Sequence, residues 1–177
     1  MKSLLLILAT TAAFVLPLKS VHAEKTSLFN GKDFDGWEGD TGKTWRIENG
    51  ALTAGTLDEK APRNEFLATK KDFYSFDLTL KFKIIGTDGF VNSGVQFRSV
   101  RIDNPPHEMS GYQADIGDPS WWGALYDESR RNKVLAPSDM TKVAPVLKKD
   151  DWNEYRIRCE GPHIQLWING VQTVDYM

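Results

Sequence analysis

The chain has 177 residues, of which 41% are hydrophobic and 26% are charged, and its formal net charge is −2 at pH 7. This mild acidity gives no support for a nucleic-acid or anionic-membrane partner, because both need a concentration of positive charge. Cys159 is the only cysteine, which excludes an internal disulfide, and we expect it to be a small buried hydrophobe.

The first residues have the pattern of a secretory signal peptide. A short basic start precedes a nearly continuous apolar run from Leu4 to Leu18, and Val21-His22-Ala23 offers a cleavage site. The run is shorter than the roughly 20 apolar residues of a membrane-spanning helix, so an anchor is the less favoured alternative. We therefore expect residues 1–23 to be removed and residues 24–177 to form one exported domain, periplasmic or secreted.

The rest of the sequence predicts strands almost throughout. Residues 76–84 and 155–159 alternate apolar and polar side chains, as strands with one buried face do. Asn49-Gly50 and Asn169-Gly170 each separate two apolar runs, which indicates two tight hairpins. Many short strands without a helical stripe favour a sandwich or barrel.

Two successive segments, residues 92–98 and 111–117, alternate apolar side chains with amides, a guanidinium and a carboxylate. Such groups bind hydroxyls and carbonyls through directional hydrogen bonds, as a sugar-binding face requires, whereas an ordinary solvated face is the alternative. The polar set expected on one face is Gln96, Arg98, Gln113 and Asp115. The set expected in the core is Val95, Phe97, Tyr112 and Ile116.

The segment from Ser120 to Arg131 is a chemically rich loop. Trp121 and Trp122 are neighbours, so an extended chain would expose one of them. An exposed ring could stack on a pyranose, although a Trp that covers the sandwich edge explains the pair equally well. Tyr126 and Glu128 follow among further charges. A Glu near aromatics and an Arg is suited to acid or base chemistry, and a solvated loop is the alternative.

The opening block Ser27 to Trp37 resembles the signature of a bacterial family of secreted proteins, the 3-keto-disaccharide hydrolases. Later blocks resemble that family in order, at residues 45–50, 63–67, 92–98, 111–118, 152–153 and 166–170. The resemblance implies a concanavalin A-like jelly-roll sandwich of two antiparallel sheets, with the sugar on the concave sheet. Family members more often have Glu at the position of Gln113. They also continue with another strand, so we expect the domain to lack its C-terminal strand.

The resemblance implies an enzyme that cleaves 3-keto-glycosides by elimination and then hydration. A ketone at C3 makes the C2 proton acidic, so a carboxylate or His removes it while a donor protonates the departing C1 oxygen. Asp115 and Glu128 are the expected acid/base carboxylates, and Glu65 is the third candidate. His107 is a further base candidate, although a lone His in such a loop is more often a surface residue.

The expected substrate-binding residues are Arg63, Gln96, Arg98, Gln113, Trp121, Trp122 and Tyr126. Arg63 and Glu65 should share one face of a strand and line the same groove as Gln96 and Arg98. No cofactor is expected, and a separate glycoside 3-oxidoreductase would supply the keto-sugar. A divalent ion held by His107, Glu108 or Asp115 is left as an alternative, although no cluster in the sequence has metal-ligand spacing. A non-catalytic carbohydrate-binding module is the alternative function.

Overall fold

The computed structural model describes residues 25–86 and 91–177, so the expected signal peptide lies outside the described residues. Within this part, one short helix at Met140–Val143 accompanies a set of β-strands, and no helix is long and apolar enough to cross a membrane. Asn49-Gly50 and Asn169-Gly170 adopt the positive φ angles of tight turns and close the two hairpins that the sequence predicts.

The described strands are short and follow one another with few long connections. In chain order they are β1 (Trp37–Glu38), β2 (Trp45–Glu48), β3 (Ala51–Ala54), β4 (Ala68–Thr69), β5 (Phe76–Phe82), β6 (Asn92–Arg101), β7 (Met109–Gly117), β8 (Leu125–Glu128), β9 (Lys133–Ala136), β10 (Asn153–Glu160), β11 (His163–Ile168) and β12 (Val171–Tyr176).

Two four-stranded antiparallel sheets form the sandwich. The front sheet has the strand order β6–β7–β8–β9, and the back sheet has the order β12–β11–β10–β5. Two smaller sheets, β1–β4 and β2–β3, add to them. This nearly all-β architecture confirms the antiparallel sandwich expected from the alternating sequence pattern.

The core lies between the two sheets, where their apolar faces meet. Phe97 and Ile116 of the front sheet are buried as predicted, and Val95 and Tyr112 pack against them. Burying each large apolar side chain contributes about 1.5–3 kcal/mol, so this layer holds the sheets together. Cys159 is also buried, as expected, and burial raises the pKa of its thiol to about 11.

One hydrogen bond crosses the core directly beneath the polar side of the front sheet. Tyr155 of the back sheet is fully buried, and its hydroxyl donates to the backbone carbonyl oxygen of Asp115 over 3.3 Å. A buried hydroxyl needs a partner, because an unsatisfied one costs about 1–3 kcal/mol. This bond links the two sheets at a residue predicted to belong to the site.

Candidate active site

The side of the front sheet that points away from the core carries a row of polar side chains, and we call it the polar face. Directly opposed residues of antiparallel strands point to the same side of their sheet. Gln96, Gln113 and Tyr126 are opposed in this way across β6, β7 and β8. Asp115 follows Gln113 by two residues on β7, and Glu128 follows Tyr126 by two residues on β8. Because these strands are antiparallel, the two carboxyl groups lie on opposite sides of the row. The fold therefore brings five of the predicted site residues onto one face.

Asp115 is the most deeply buried carboxyl group on the polar face, with 2% of its surface exposed. Its Oδ1 accepts a hydrogen bond of 2.6 Å from Nε2 of Gln113. Burial raises the pKa of Asp115 to about 7, the bond from Gln113 opposes this rise, and the negative charge of Glu128 adds to it. A carboxyl group with a pKa near neutrality can exchange protons readily with a substrate.

Gly94 lies opposite Asp115 and leaves space for the Gln113 side chain that bonds to it. A Cβ added to Gly94 would lie 2.6 Å from Cγ of Gln113 and 2.8 Å from its Cδ. The side chain of Gln113 therefore lies across Gly94 on its way to Asp115. Gly94 was not among the predicted site residues, although a glycine inside a strand is a known sign of close approach by another group.

Glu128 is half-buried at the other end of the row. Burial raises the pKa of its carboxyl group, the negative charge of Glu108 raises it further, and hydrogen bonds from Ser129 oppose the rise. Glu128 lies opposite Gly111, four residues before Asp115 on β7, so about 13 Å of strand separates these backbone positions. The two carboxyl groups flank a sugar-sized stretch of the sheet rather than touching each other.

Tyr126 lies between the two carboxyl groups. Burial raises the pKa of its hydroxyl, and the negative charges of Glu128 and Asp115 raise it further, so the hydroxyl remains a proton donor. Trp121 is half-buried beside it, with ring centroids 6.0 Å apart and the rings nearly perpendicular. The pair forms an aromatic border of the polar face, of the kind on which sugar rings stack.

The position of Trp122 differs from the one expected of a substrate-binding residue. It is 4% exposed, stacks on Phe82 of the back sheet with ring centroids 6.3 Å apart, and donates from Nε1 to Asp118. The predicted division of the Trp pair into a buried and a more exposed member is observed. Because the buried member is Trp122, its predicted role in substrate binding is wrong.

Gln96 leaves one acceptor without a protein donor. Its Nε2 donates to the carbonyl oxygen of Met109 over 3.0 Å, while its Oε1 is buried and accepts no hydrogen bond from the described residues. A buried acceptor without a donor is unfavourable by about 1–3 kcal/mol.

Arg98 does not join Gln96 on the polar face, contrary to expectation. Strand β6 contains a bulge between Phe97 and Val100, where Arg98 has a φ of 48°. Alternation ends at such a bulge. The guanidinium therefore turns to the carbonyl oxygen of Tyr74, to which Nε and Nη2 donate over 3.2 and 2.9 Å.

The segment that contains Arg63 and Glu65 is not a strand, since β4 begins only at Ala68. The two side chains still meet, because Nη2 of Arg63 lies 2.6 Å from Oε1 of Glu65. His107 lies half-buried in the loop before β7. Among the described residues, no hydrogen bond or ion pair joins Glu65 or His107 to the carboxyl groups of the polar face.

The arginines that follow Glu128 serve the opposite side of the sheet. Asp127 is fully buried, and Nη2 of Arg130 lies 2.7 Å from its Oδ1, while Nε of Arg131 bonds its Oδ2. Although burial favours the neutral acid, these hydrogen bonds keep the pKa of Asp127 below its ordinary value. Both guanidinium groups lie over the ring of Tyr112. Neither arginine is therefore the expected partner of Glu128. By binding Asp127, both stabilise the turn that follows Glu128.

The described part of the chain shows no group of three His, Cys, Asp or Glu side chains that could hold a metal ion. His107, Glu108 and Asp115 are accordingly not brought together as such a group among the described residues.

Comparisons with known proteins give the family and the fold of the chain. The family described as the 3-keto-alpha-glucoside-1,2-lyase-like domain matches residues 24–177. A proposed glycosyl hydrolase from Parabacteroides distasonis has a similar structure, with 21% identity, a TM-score of 0.59, and coverage of 86% of this chain and 71% of that chain. The carbohydrate-binding module CBM66 from Bacillus subtilis is also similar, with 17% identity, a TM-score of 0.53, and coverage of 80% and 78%. No curated protein matches. At such identities the two structures show a shared jelly-roll fold and nothing further.

Proposed function

The chain belongs to the 3-keto-α-glucoside-1,2-lyase-like family, as its sequence blocks indicate, and we propose that it cleaves 3-keto-glycosides by elimination followed by hydration. The observation that carries this proposal is the row on the polar face. Two carboxyl groups of raised pKa, Asp115 and Glu128, flank Tyr126 and two amides beside Trp121. Perturbed carboxyl groups beside sugar-binding side chains are typical of catalytic sites.

We assign the general base to Asp115 and the general acid to Glu128. The ionised Asp115 takes the C2 proton, and the C2–H electron pair forms the C1=C2 bond while the C1–O bond breaks. The departing oxygen takes its proton from Glu128. Water then adds its hydroxyl to C1 and gives its proton to Glu128, while Asp115 returns a proton to C2, so both groups regain their starting states.

Negative charge develops on the C3 oxygen as the C2 proton leaves, and a nearby donor would stabilise it. Arg98, which the sequence predicted to bind the substrate, is engaged with the carbonyl oxygen of Tyr74 instead. The donors on the polar face are the Tyr126 hydroxyl and the amide group of Gln113. A separate glycoside 3-oxidoreductase would supply the ketone, and the N-terminal segment would direct export.

The reaction class is tested with matched substrates. Methyl 3-keto-glucoside should be cleaved, whereas methyl glucoside should remain intact, because its C2 proton is too weakly acidic for a side-chain base. Methanol release, measured by NMR, reports the cleavage of each substrate. Cleavage of the unoxidised glucoside at a comparable rate would contradict the elimination mechanism.

A non-catalytic sugar-binding module is the second candidate. The similarity to a carbohydrate-binding module and the Trp121–Tyr126 pair favour it. It predicts that the keto-glucoside binds without turnover, so the same NMR experiment separates the two candidates.

A further inference from the structure

The turn between β8 and β9 holds two arginines on one buried carboxylate. Nε and Nη2 of Arg130 lie 2.9 and 2.7 Å from Oδ1 of Asp127. Nε of Arg131 bonds Oδ2 of Asp127, to which the backbone N–H of Arg131 also donates over 3.2 Å. An ionised carboxylate accepts about four hydrogen bonds. The two arginines therefore saturate Asp127.

This sharing sets Asp127 apart from the other carboxylates. In the other arginine ion pairs of the described residues, each guanidinium group has a carboxylate of its own, as Arg156 has Asp77. At Asp127 one negative charge faces two positive charges, although the chain as a whole has a net charge of −2. The exposed Lys133 adds a further positive charge, because it lies opposite Asp127 on β9 and so points to the same side of the sheet.

Both guanidinium groups are held in place and yet remain accessible. Their central carbons lie 4.8 and 5.6 Å from the ring centroid of Tyr112, and the side chains of Arg130 and Arg131 are 44% and 40% exposed. An arginine has five N–H donors. Most of these donors have no carboxylate or backbone carbonyl as acceptor among the described residues. Because Asp127 and Tyr112 already order the two side chains, little conformational freedom is lost when a ligand binds them.

We propose that Arg130, Arg131 and Lys133 form a binding site for a doubly charged oxyanion, the phosphate or sulfate group of a free ion or a small ester. Three positive charges against the one of Asp127 leave a surplus of two, which a dianion neutralises and an uncharged sugar does not. The planar guanidinium donors also match the oxygens of such groups in pairs. The site lies on the other side of the front sheet from the polar face, so it is independent of the proposed function.

The test is a titration with inorganic phosphate, sulfate and glucose 6-phosphate at pH 7 and constant ionic strength, with NaCl as the balancing salt. In NMR spectra of the wild type, the backbone amides of residues 129–133 and the Nε–H groups of Arg130 and Arg131 should shift and saturate. All three anions should bind. Tighter binding of glucose 6-phosphate than of phosphate would assign the site to an ester, and equal binding would assign it to the free ion.

Three variants show which charges bind the anion. Arg131→Gln should weaken binding roughly 10-fold or more, the size of one lost charge-assisted hydrogen bond, while Arg130 still pairs with Asp127. Lys133→Gln removes no bond to Asp127 and should weaken binding about 2- to 5-fold. Arg156→Gln is the matched control, because it removes an exposed arginine that has its own carboxylate on the back sheet, and it should leave binding unchanged.

Shifts that NaCl alone reproduces would overturn the site, because they would report ionic strength rather than binding. Equal affinities in the wild type, Arg131→Gln and Lys133→Gln would overturn it as well. If Arg131→Gln fails to fold, Lys133→Gln decides the point, since it leaves the bonds to the buried carboxylate intact.

Discussion

The outer faces of the two sheets carry similar residue types in opposite electrostatic states. On the back sheet, Asp77 accepts hydrogen bonds of 2.7 and 2.5 Å from Arg156, which lower the pKa of its carboxyl group. Both side chains are substantially exposed. On the front sheet, Asp115 is buried with an amide as its partner, and its pKa is raised to about 7.

The comparison shows that alternation alone does not distinguish a solvated face from a reactive one. Both faces read as polar residues at every second position. The difference arises because opposite charges pair across β5 and β10, whereas the polar face has carboxyl groups and neutral amides in a partly buried row. A carboxyl group without a cationic partner and away from water holds its proton more strongly. Such a carboxyl group is suited to proton transfer near neutral pH.

The largest expected effect is on catalysis. Asp115→Asn should lower kcat/KM for a 3-keto-glycoside by roughly 10²–10⁴-fold, because the amide cannot accept the C2 proton. Asp77→Asn makes the same chemical change on the back sheet and should change kcat/KM less than twofold. Steady-state kinetics on both variants measures this, and equal losses would remove the functional contrast between the faces.

The two carboxyl groups should also differ in how they affect stability against pH. The pKa of Asp115 is about 7 in the folded protein and about 3.9 in an unfolded chain, so its favourable contribution is complete below pH 4 and is lost as the pH rises through 7. The wild type should therefore lose up to about 4 kcal/mol in the free energy of unfolding between pH 4 and pH 8, and Asp115→Asn should not show this loss.

Urea unfolding at the two pH values measures this difference. Asp77 provides the contrast, because its pKa is lowered and the group stays ionised across the same window. Asp77→Asn should show almost no change relative to the wild type between pH 4 and pH 8. The same loss in Asp115→Asn as in the wild type would contradict the raised pKa.

A smaller effect is expected at Gly94. In Gly94→Ala the new methyl group would displace Gln113, and such overpacking destabilises by about 1–3 kcal/mol. Displacement also breaks the bond from Gln113 to Asp115, so kcat/KM should fall together with stability. Gly42→Ala is the control, because the nearest atom to a Cβ there, an oxygen of Asp40, is 3.9 Å away. Thermal unfolding and kinetics on both variants decide the point, and a tolerated Gly94→Ala would show that Gln113 is not confined.

The smallest expected effect is the coupling between Asp77 and Arg156. Exposed ion pairs contribute about 0.2–1 kcal/mol, and added salt weakens them. A double-mutant cycle with Asp77→Asn and Arg156→Gln should give a coupling in that range, which 1 M NaCl reduces. A coupling above 2 kcal/mol would mean that the back sheet is not the solvated face described above.

The sequence predicts most of the sandwich because its signals are local. Alternation places Phe97 and Ile116 in the core, and Asn-Gly pairs place the hairpin turns. The polar row of Gln96, Gln113 and Asp115 follows from the same period of two. Trp121 and Trp122 also separate, although they lie in a turn and not in the extended chain on which that expectation was based.

What the sequence does not reveal depends on contacts between distant segments. The bulge that turns Arg98 toward Tyr74 inserts residues into an otherwise regular pattern, and no alternation signals it. Arg130 and Arg131 follow Glu128 closely, yet they bind Asp127 on the other side of the sheet. Which of the two Trp residues enters the core is likewise decided by Phe82, which lies about forty positions away.

The Tyr155 hydroxyl bond to the backbone of Asp115 has a consequence for protein engineering. The backbone position of Asp115 is set partly by a side chain that belongs to the other sheet. A designer who transplants the row of Gln96, Gln113, Tyr126 and Glu128 onto a different sandwich would copy its surface but omit this support. The portable unit is therefore larger than the visible row, and it must include an opposing strand with a tyrosine at this place.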